Sequence, residues 1–193
     1  MYRSGSEYDE IAKIVIQIYL DYGICKFPID EYEVCRKLGV SLVSYSVLDK
    51  EFSGLLLKRT KHGIFVRRTP NRPPTIYFND KFEPYGARRY TIFHEVKHYV
   101  YDEDSGDEEY DDLADYFARY FMCPIPYLIY KGFSEPDEII SFCNVSIAVA
   151  NNVCSNLYNR RNKYGSEIFD YERPLIEYLN KENQVLIEKV KNE

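Results

Sequence analysis

Tryptophan is absent from the 193 residues, histidine occurs three times, and no two cysteines stand in a Cys-x-x-Cys spacing. The five cysteines, Cys25, Cys35, Cys123, Cys143 and Cys154, are an odd number. A complete disulfide framework or a zinc ribbon is therefore excluded, and buried thiols in a reducing compartment are expected. No apolar run approaches the roughly 18 residues that suggest a membrane span. Residues Met1 to Glu7 lack the basic-then-apolar order of a signal peptide. The expectation is a soluble, cytoplasmic protein with no membrane partner. Positive charge is also short: the formal net charge is -6, so direct nucleic-acid binding is not expected. The short basic clusters Arg67, Arg68, Arg72 and Arg160, Arg161, Lys163 predict solvated surface rather than a groove reader. What the chain does have is apolar side chains, 45% of the total, enough for a core in one domain or in one domain with a helical extension.

Local patterns order the chain. Ile11, Ile14, Val15, Ile18, Tyr19 and Tyr22 recur at helical spacing up to Gly23, and a second helix is expected from near Pro28 to Leu38-Gly39. Val40 to Val47 predicts a strand. Gly54–Lys58 and Ile64–Arg68 predict two strands about a turn at Lys61-His62-Gly63, and Thr75–Asn79 another. Thr75–Asn79 is further expected to be an exposed sheet edge whose backbone pairs with an extended substrate. Tyr90, Phe93, Val96 and Val100 mark a helix over about 84–101. The acidic stretch Asp102–Asp112, with eight carboxylates, leads to another helix ending before Pro124. Helices with breaks near Gly132–Pro136 and Lys163–Ser166 complete the chain.

The chemistry concentrates in His94-Glu95-Val96-Lys97-His98. Residues i and i+4 of a helix share a face, so the two imidazoles can reach one ion. Glu95 lies close enough to the same face to reach water at that ion. Zinc lowers the pKa of such a water to about 7. Glu95 can then take its proton and pass it to a leaving amine. A catalytic zinc usually has three protein ligands and one open position. His62 sits in a turn and no cysteine has a suitable spacing, so the third ligand is expected to be a carboxylate of the helix after the acidic stretch. Asp111 is the first candidate, with Glu108 and Asp112 as rivals. Asp115, at i+4 from Asp111, is expected to accept a hydrogen bond from a ligand histidine. Ala114 and Ala118 are small enough to allow close helix approach.

Three segments together resemble the ImmA/IrrE family of gluzincin-like metallopeptidases. They are Phe27-Pro28-Ile29-Asp30 through Leu38-Gly39-Val40; Ile76-Tyr77-Phe78-Asn79 followed by Arg88-Arg89-Tyr90-Thr91-Ile92-Phe93-His94-Glu95-Val96-Lys97-His98; and Asp111-x-x-Ala114-Asp115-x-Phe117-Ala118 through Met122-Cys123-Pro124. The resemblance covers about residues 8–160. It departs from the family at Asp111, where the family has Glu, and at Val96-Lys97, where Leu-Gly is common; Lys97 is expected to point away from the site. The resemblance implies an α+β, zincin-like core with a small twisted sheet and the HExxH helix. Residues 1–124 would form this core, and residues 125–193 a C-terminal helical region packed on it. It implies zinc held by His94, His98 and Asp111, Glu95 as the catalytic base, and cleavage of a helix-turn-helix repressor of a mobile element or stress response. The rival expectation is a non-catalytic, metal-stabilised protein that sequesters a repressor or belongs to a toxin–antitoxin pair.

Overall fold

A computed structural model describes residues 5–81, 85–103 and 111–191; for residues 5, 6, 85, 111 and 184–191 only the backbone is described. The chain is α+β and mostly helical, with one three-stranded sheet among the described residues. It divides into two compact units, one of residues 31–118 and one of residues 1–30 with 119–193. Among the described residues no helix is long and apolar enough to cross a membrane, and no disulfide forms.

The unit of residues 31–118 holds the sheet. Helix α2 (Glu31–Leu38) ends at Gly39, whose positive φ of 74° suits glycine. Strand β1 (Ser41–Ser44) follows. It is shorter than the expected Val40–Val47, because Tyr45–Val47 turns as a 3₁₀ helix. The Asp80 carboxylate accepts hydrogen bonds from Ser46 N at 3.1 Å and Ser46 Oγ at 2.6 Å, which draws the chain off the strand path.

The strand expected over Gly54–Lys58 is instead part of helix α3 (Lys50–Arg59). Its N-cap, Asp49, accepts from Phe52 N at 2.8 Å, satisfying an otherwise orphan amide. Leu56 alone of the Leu55-Leu56-Leu57 run is buried; its neighbours are exposed. Exposed–buried–exposed suits a strand equally well over three residues; the helix is shown by its i to i−4 bonds, Ser53 N to the Asp49 carbonyl at 3.0 Å and Thr60 N to the Leu56 carbonyl at 2.8 Å.

Strand β2 (Gly63–Val66) does not pair within the expected hairpin. It runs antiparallel to β3 (Thr75–Phe78), which is also parallel to β1, so the order is β1-β3-β2. The expectation of Thr75–Asn79 as an exposed edge is thereby overturned: β3 is the central strand, buried along its length. A run of four apolar-to-neutral residues buried on both faces reads the same as an edge strand until its partners are known.

One face of the sheet carries Tyr45, Leu56, Ile64 and Tyr77, with Phe52 edge-on to Tyr77 at 5.6 Å. The other face receives helix α4 (Tyr85–Tyr101), which packs on β2 and β3. Gly63 permits this approach. A Cβ there would lie 2.7 Å from Thr91 Cγ2 and 3.0 Å from the Tyr77 carbonyl oxygen. Gly63→Ala is expected to cost roughly 1–3 kcal/mol through overpacking, measured by urea unfolding. Adding Thr91→Ser removes the clashing methyl and should recover part of that loss. A Gly63→Ala protein as stable as wild type would show that α4 has room to move. Helix α2 packs on α4, where Arg89 Nε donates to Glu31 Oε2 at 3.0 Å, both residues buried, and Tyr99 Oη donates to the Leu38 carbonyl at 3.0 Å. Helix α5 (Asp111–Met122) contributes its residues to Ala118 to this unit.

The other unit gathers α1 (Gly5–Asp21), α6 (Ile125–Tyr130), α7 (Pro136–Cys143), α8 (Ile147–Tyr164) and α9 (Arg173–Lys191). An aromatic cluster centred on Phe27 draws on α6 and α7. Phe27 stacks on Phe142 at 4.4 Å and on Tyr127 at 5.7 Å, and Tyr19 Oη donates to the Phe121 carbonyl. Helix α7 has a capping box of Glu135 and Glu138, and Ser146 caps α8 through Val149 N. Breaks fall at Gly132 and Gly165, both at positive φ, where they are expected. The cluster Arg160, Arg161, Lys163 is not wholly the solvated surface expected of it. Arg160 binds buried Glu172, and Arg161 donates to the Phe133 carbonyl at 2.7 Å.

Candidate metal centre

Helix α4 carries His94, Glu95 and His98, with Glu95 against the sheet and His94 against α5. Their positions follow from Phe93 and Val96, which are fully buried and set the rotation of the helix. The two imidazole centroids lie 5.3 Å apart, tilted by 52°, as expected for neighbours one helical turn apart. His94 Nδ1 is 3.0 Å from Asp115 Oδ1. An ionised carboxylate can only accept, so Nδ1 carries the proton and Nε2 is the nitrogen that would take a metal. Asp115 thus stands where the sequence expectation placed it, against a histidine of the motif. Tyr90 Oη donates to the Asp115 carbonyl at 3.0 Å, tying α5 to α4. Ala114 and Ala118 are fully buried on α5. His98 is 0% exposed, and Glu103 Oε2 lies 3.8 Å from its Nδ1.

Glu95 is 5% exposed and accepts from Phe65 N of β2 at 2.8 Å. In an antiparallel pair, alternate residues turn their amides away from the partner strand. Phe65 opposes Ile76 in such a position, because Asn79 N donates to the His62 carbonyl at 2.8 Å and sets the alternation. The outward amide of edge strand β2 therefore orients the Glu95 carboxylate. Phe65 is fixed in turn by its ring, edge-on to Tyr99 at 5.8 Å.

Tyr45 adds a group that no sequence pattern singles out among twenty tyrosines. Its buried hydroxyl has no hydrogen-bond partner among the described residues. Burial, and then the charge of Glu95, push it up to about 12. It is a neutral hydroxyl that feels the Glu95 carboxylate.

Other candidates fall apart from this group or outside the described residues. His62 is exposed in its turn, as expected, and Asp112 is exposed. The side chain of Asp111 and all of Glu108 lie outside the described residues. Among the described residues no group of three or more His, Cys, Asp and Glu side chains is gathered for a metal. Lys97 is 1% exposed, bound to Glu103, with Nζ 4.9 Å from the Tyr101 ring centroid.

The donor chemistry fits a borderline divalent ion such as zinc: two imidazoles one helical turn apart, one of them held by a carboxylate at one ring nitrogen. No protein-family model matches this chain, and no curated protein matches it.

Proposed function

We propose that the chain is a zinc-dependent peptidase with a zincin-like core in residues 31–118, and that it acts in the cytoplasm. The observation that carries this reading is the placement of Glu95, held by an edge-strand amide on the helix whose two imidazoles have centroids 5.3 Å apart. His94 and His98 would hold the ion, with Asp111 as the third ligand. A divalent ion there supplies a lowered water pKa and a polarised scissile carbonyl. Glu95 takes the proton of the attacking water and hands it to the departing amine. Phe65 N fixes the plane of that carboxylate before substrate arrives, so orientation need not be won during the reaction. Asp115 keeps the His94 ring in one tautomer. Because β2 is an edge strand and β3 is not, the extended substrate is laid along β2, through outward backbone groups other than Phe65 N, which Glu95 holds. The substrate class, a helix-turn-helix repressor, rests on the family resemblance alone.

Metal analysis tests the reading directly. Purified, unchelated protein is expected to hold one zinc per chain, and His94→Ala and His98→Ala to lose it. Asp111→Ala is expected to weaken zinc binding, while Asp112→Ala leaves it unchanged. Zinc content unaffected by either histidine substitution would end the proposal. Zinc retained without any peptide cleavage would favour the rival reading of a metal-stabilised repressor-sequestering protein.

A further inference from the structure

Lysine is rarely buried without a charged partner, because desolvating an ammonium is costly. Lys97 is nonetheless inside, in the middle of the motif. Its Nζ binds Glu103 Oε2, the same oxygen that lies 3.8 Å from His98 Nδ1. The backbone delivers that carboxylate. Asp102, at φ 52°, reverses the chain at the end of α4, and Glu103 N donates to the His98 carbonyl at 2.9 Å. This is the geometry of a left-handed helix stop, and it returns residue 103 to the last turn of α4.

We propose that buried Lys97 and partly exposed Glu103 form a clamp that orients the His98 imidazole, so that Glu103 serves His98 as Asp115 serves His94. The inference rests on the zinc-site reading for its purpose, though not for its geometry. At 3.8 Å the Glu103–His98 contact is electrostatic, and a modest side-chain rotation brings it to hydrogen-bond length. Lys97 binds that same oxygen and offsets the carboxylate's charge, so Glu103 can stay beside a fully buried ring. The result is a proton on Nδ1 of His98 and Nε2 turned to the same point as that of His94. Glu103 and Lys97 are positioning residues: they act through His98.

The test combines imidazole nitrogen NMR of the metal-free protein with zinc affinity measured by chelator competition. In metal-free wild type, His98 is expected as the Nδ1–H tautomer. Glu103→Ala should shift it toward Nε2–H and weaken zinc binding by about 10–100-fold, as loss of such outer carboxylates does. Lys97→Met should move both readouts in the same direction. The double substitution should lose no more than Glu103→Ala alone, because the two residues act as one unit. Since Glu103 is partly exposed, its substitution carries the test even if Lys97→Met fails to fold. An unchanged His98 tautomer in Glu103→Ala, with zinc affinity within about twofold of wild type, would overturn the clamp. So would fully additive losses in the double variant. If His94→Ala and His98→Ala bind zinc like wild type, the peptidase reading fails. The tautomer in metal-free protein then still decides the clamp.

Discussion

Glu95→Gln is expected to keep its fold and its zinc and to lose peptide turnover by roughly 10²- to 10⁴-fold, the usual worth of positioned acid–base help. The amide is nearly isosteric with the carboxylate, and its oxygen can still accept from Phe65 N, 2.8 Å from Glu95 Oε2 in the native structure. Packing around residue 95 is thus preserved. What is lost is the ability to take a proton from water. The measurement is cleavage of a helix-turn-helix repressor, the proposed substrate, read by intact mass, beside zinc content and thermal unfolding of the same preparation. Full activity in Glu95→Gln refutes the mechanism. Loss of activity together with loss of zinc or fold would make Glu95 a structural residue instead.

Arg160→Ala is expected to be the most destabilising substitution in the helical unit, by about 3–5 kcal/mol, the range for removing one partner of a buried ion pair. Glu172 is 0% exposed. Both its oxygens accept from the Arg160 guanidinium at 2.5 Å, and Oε2 also accepts from Phe169 N at 2.9 Å. The guanidinium lies over the Phe169 ring, 4.4 Å from its centroid. Without the arginine a buried carboxylate keeps one amide and no counter-charge. For a chain of this size each kcal/mol moves the midpoint by roughly 2–4 °C, so thermal unfolding should fall on the order of 10 °C. Replacing both residues, as in Arg160→Met with Glu172→Leu, should recover much of the loss, because the cost lies in the stranded charge. A loss for Arg160→Ala below about 1 kcal/mol would mean that the pair behaves as a surface salt bridge.

The helix of the motif was legible because Tyr90, Phe93, Val96 and Val100 repeat at the helical period, and burial of Phe93 and Val96 follows from it. Asp115 was legible as a histidine partner for the same reason: its spacing from Asp111 puts it on one helical face. The α3 segment misleads because Gly54 followed by three leucines looks like a buried strand. The decisive signal is Asp49, a cap three residues before Phe52. Strand order could not be read at all. Each strand is four residues long, and the patterns of an edge and a centre differ only through partners distant in sequence. Nothing in the local spacing marks the burial of Lys97, and only the reversal at Asp102 shows what meets it. The division that unites α1 with the C-terminal helices has no local signature, since it depends on contacts across more than a hundred residues.

The hold on Glu95 comes from a main-chain amide, and this has a genetic consequence. Every residue except proline carries that N–H, so nothing at position 65 encodes the bond. Substitutions of Phe65 will be judged by how well they fill the space against Tyr99, and large apolar residues should pass. Proline alone would unmoor the carboxylate while offering an apolar ring. In a saturation library scored for cleavage, position 65 should therefore look like an ordinary core site with one lethal letter. Covariation between positions 65 and 95 should be silent, however closely the two work together.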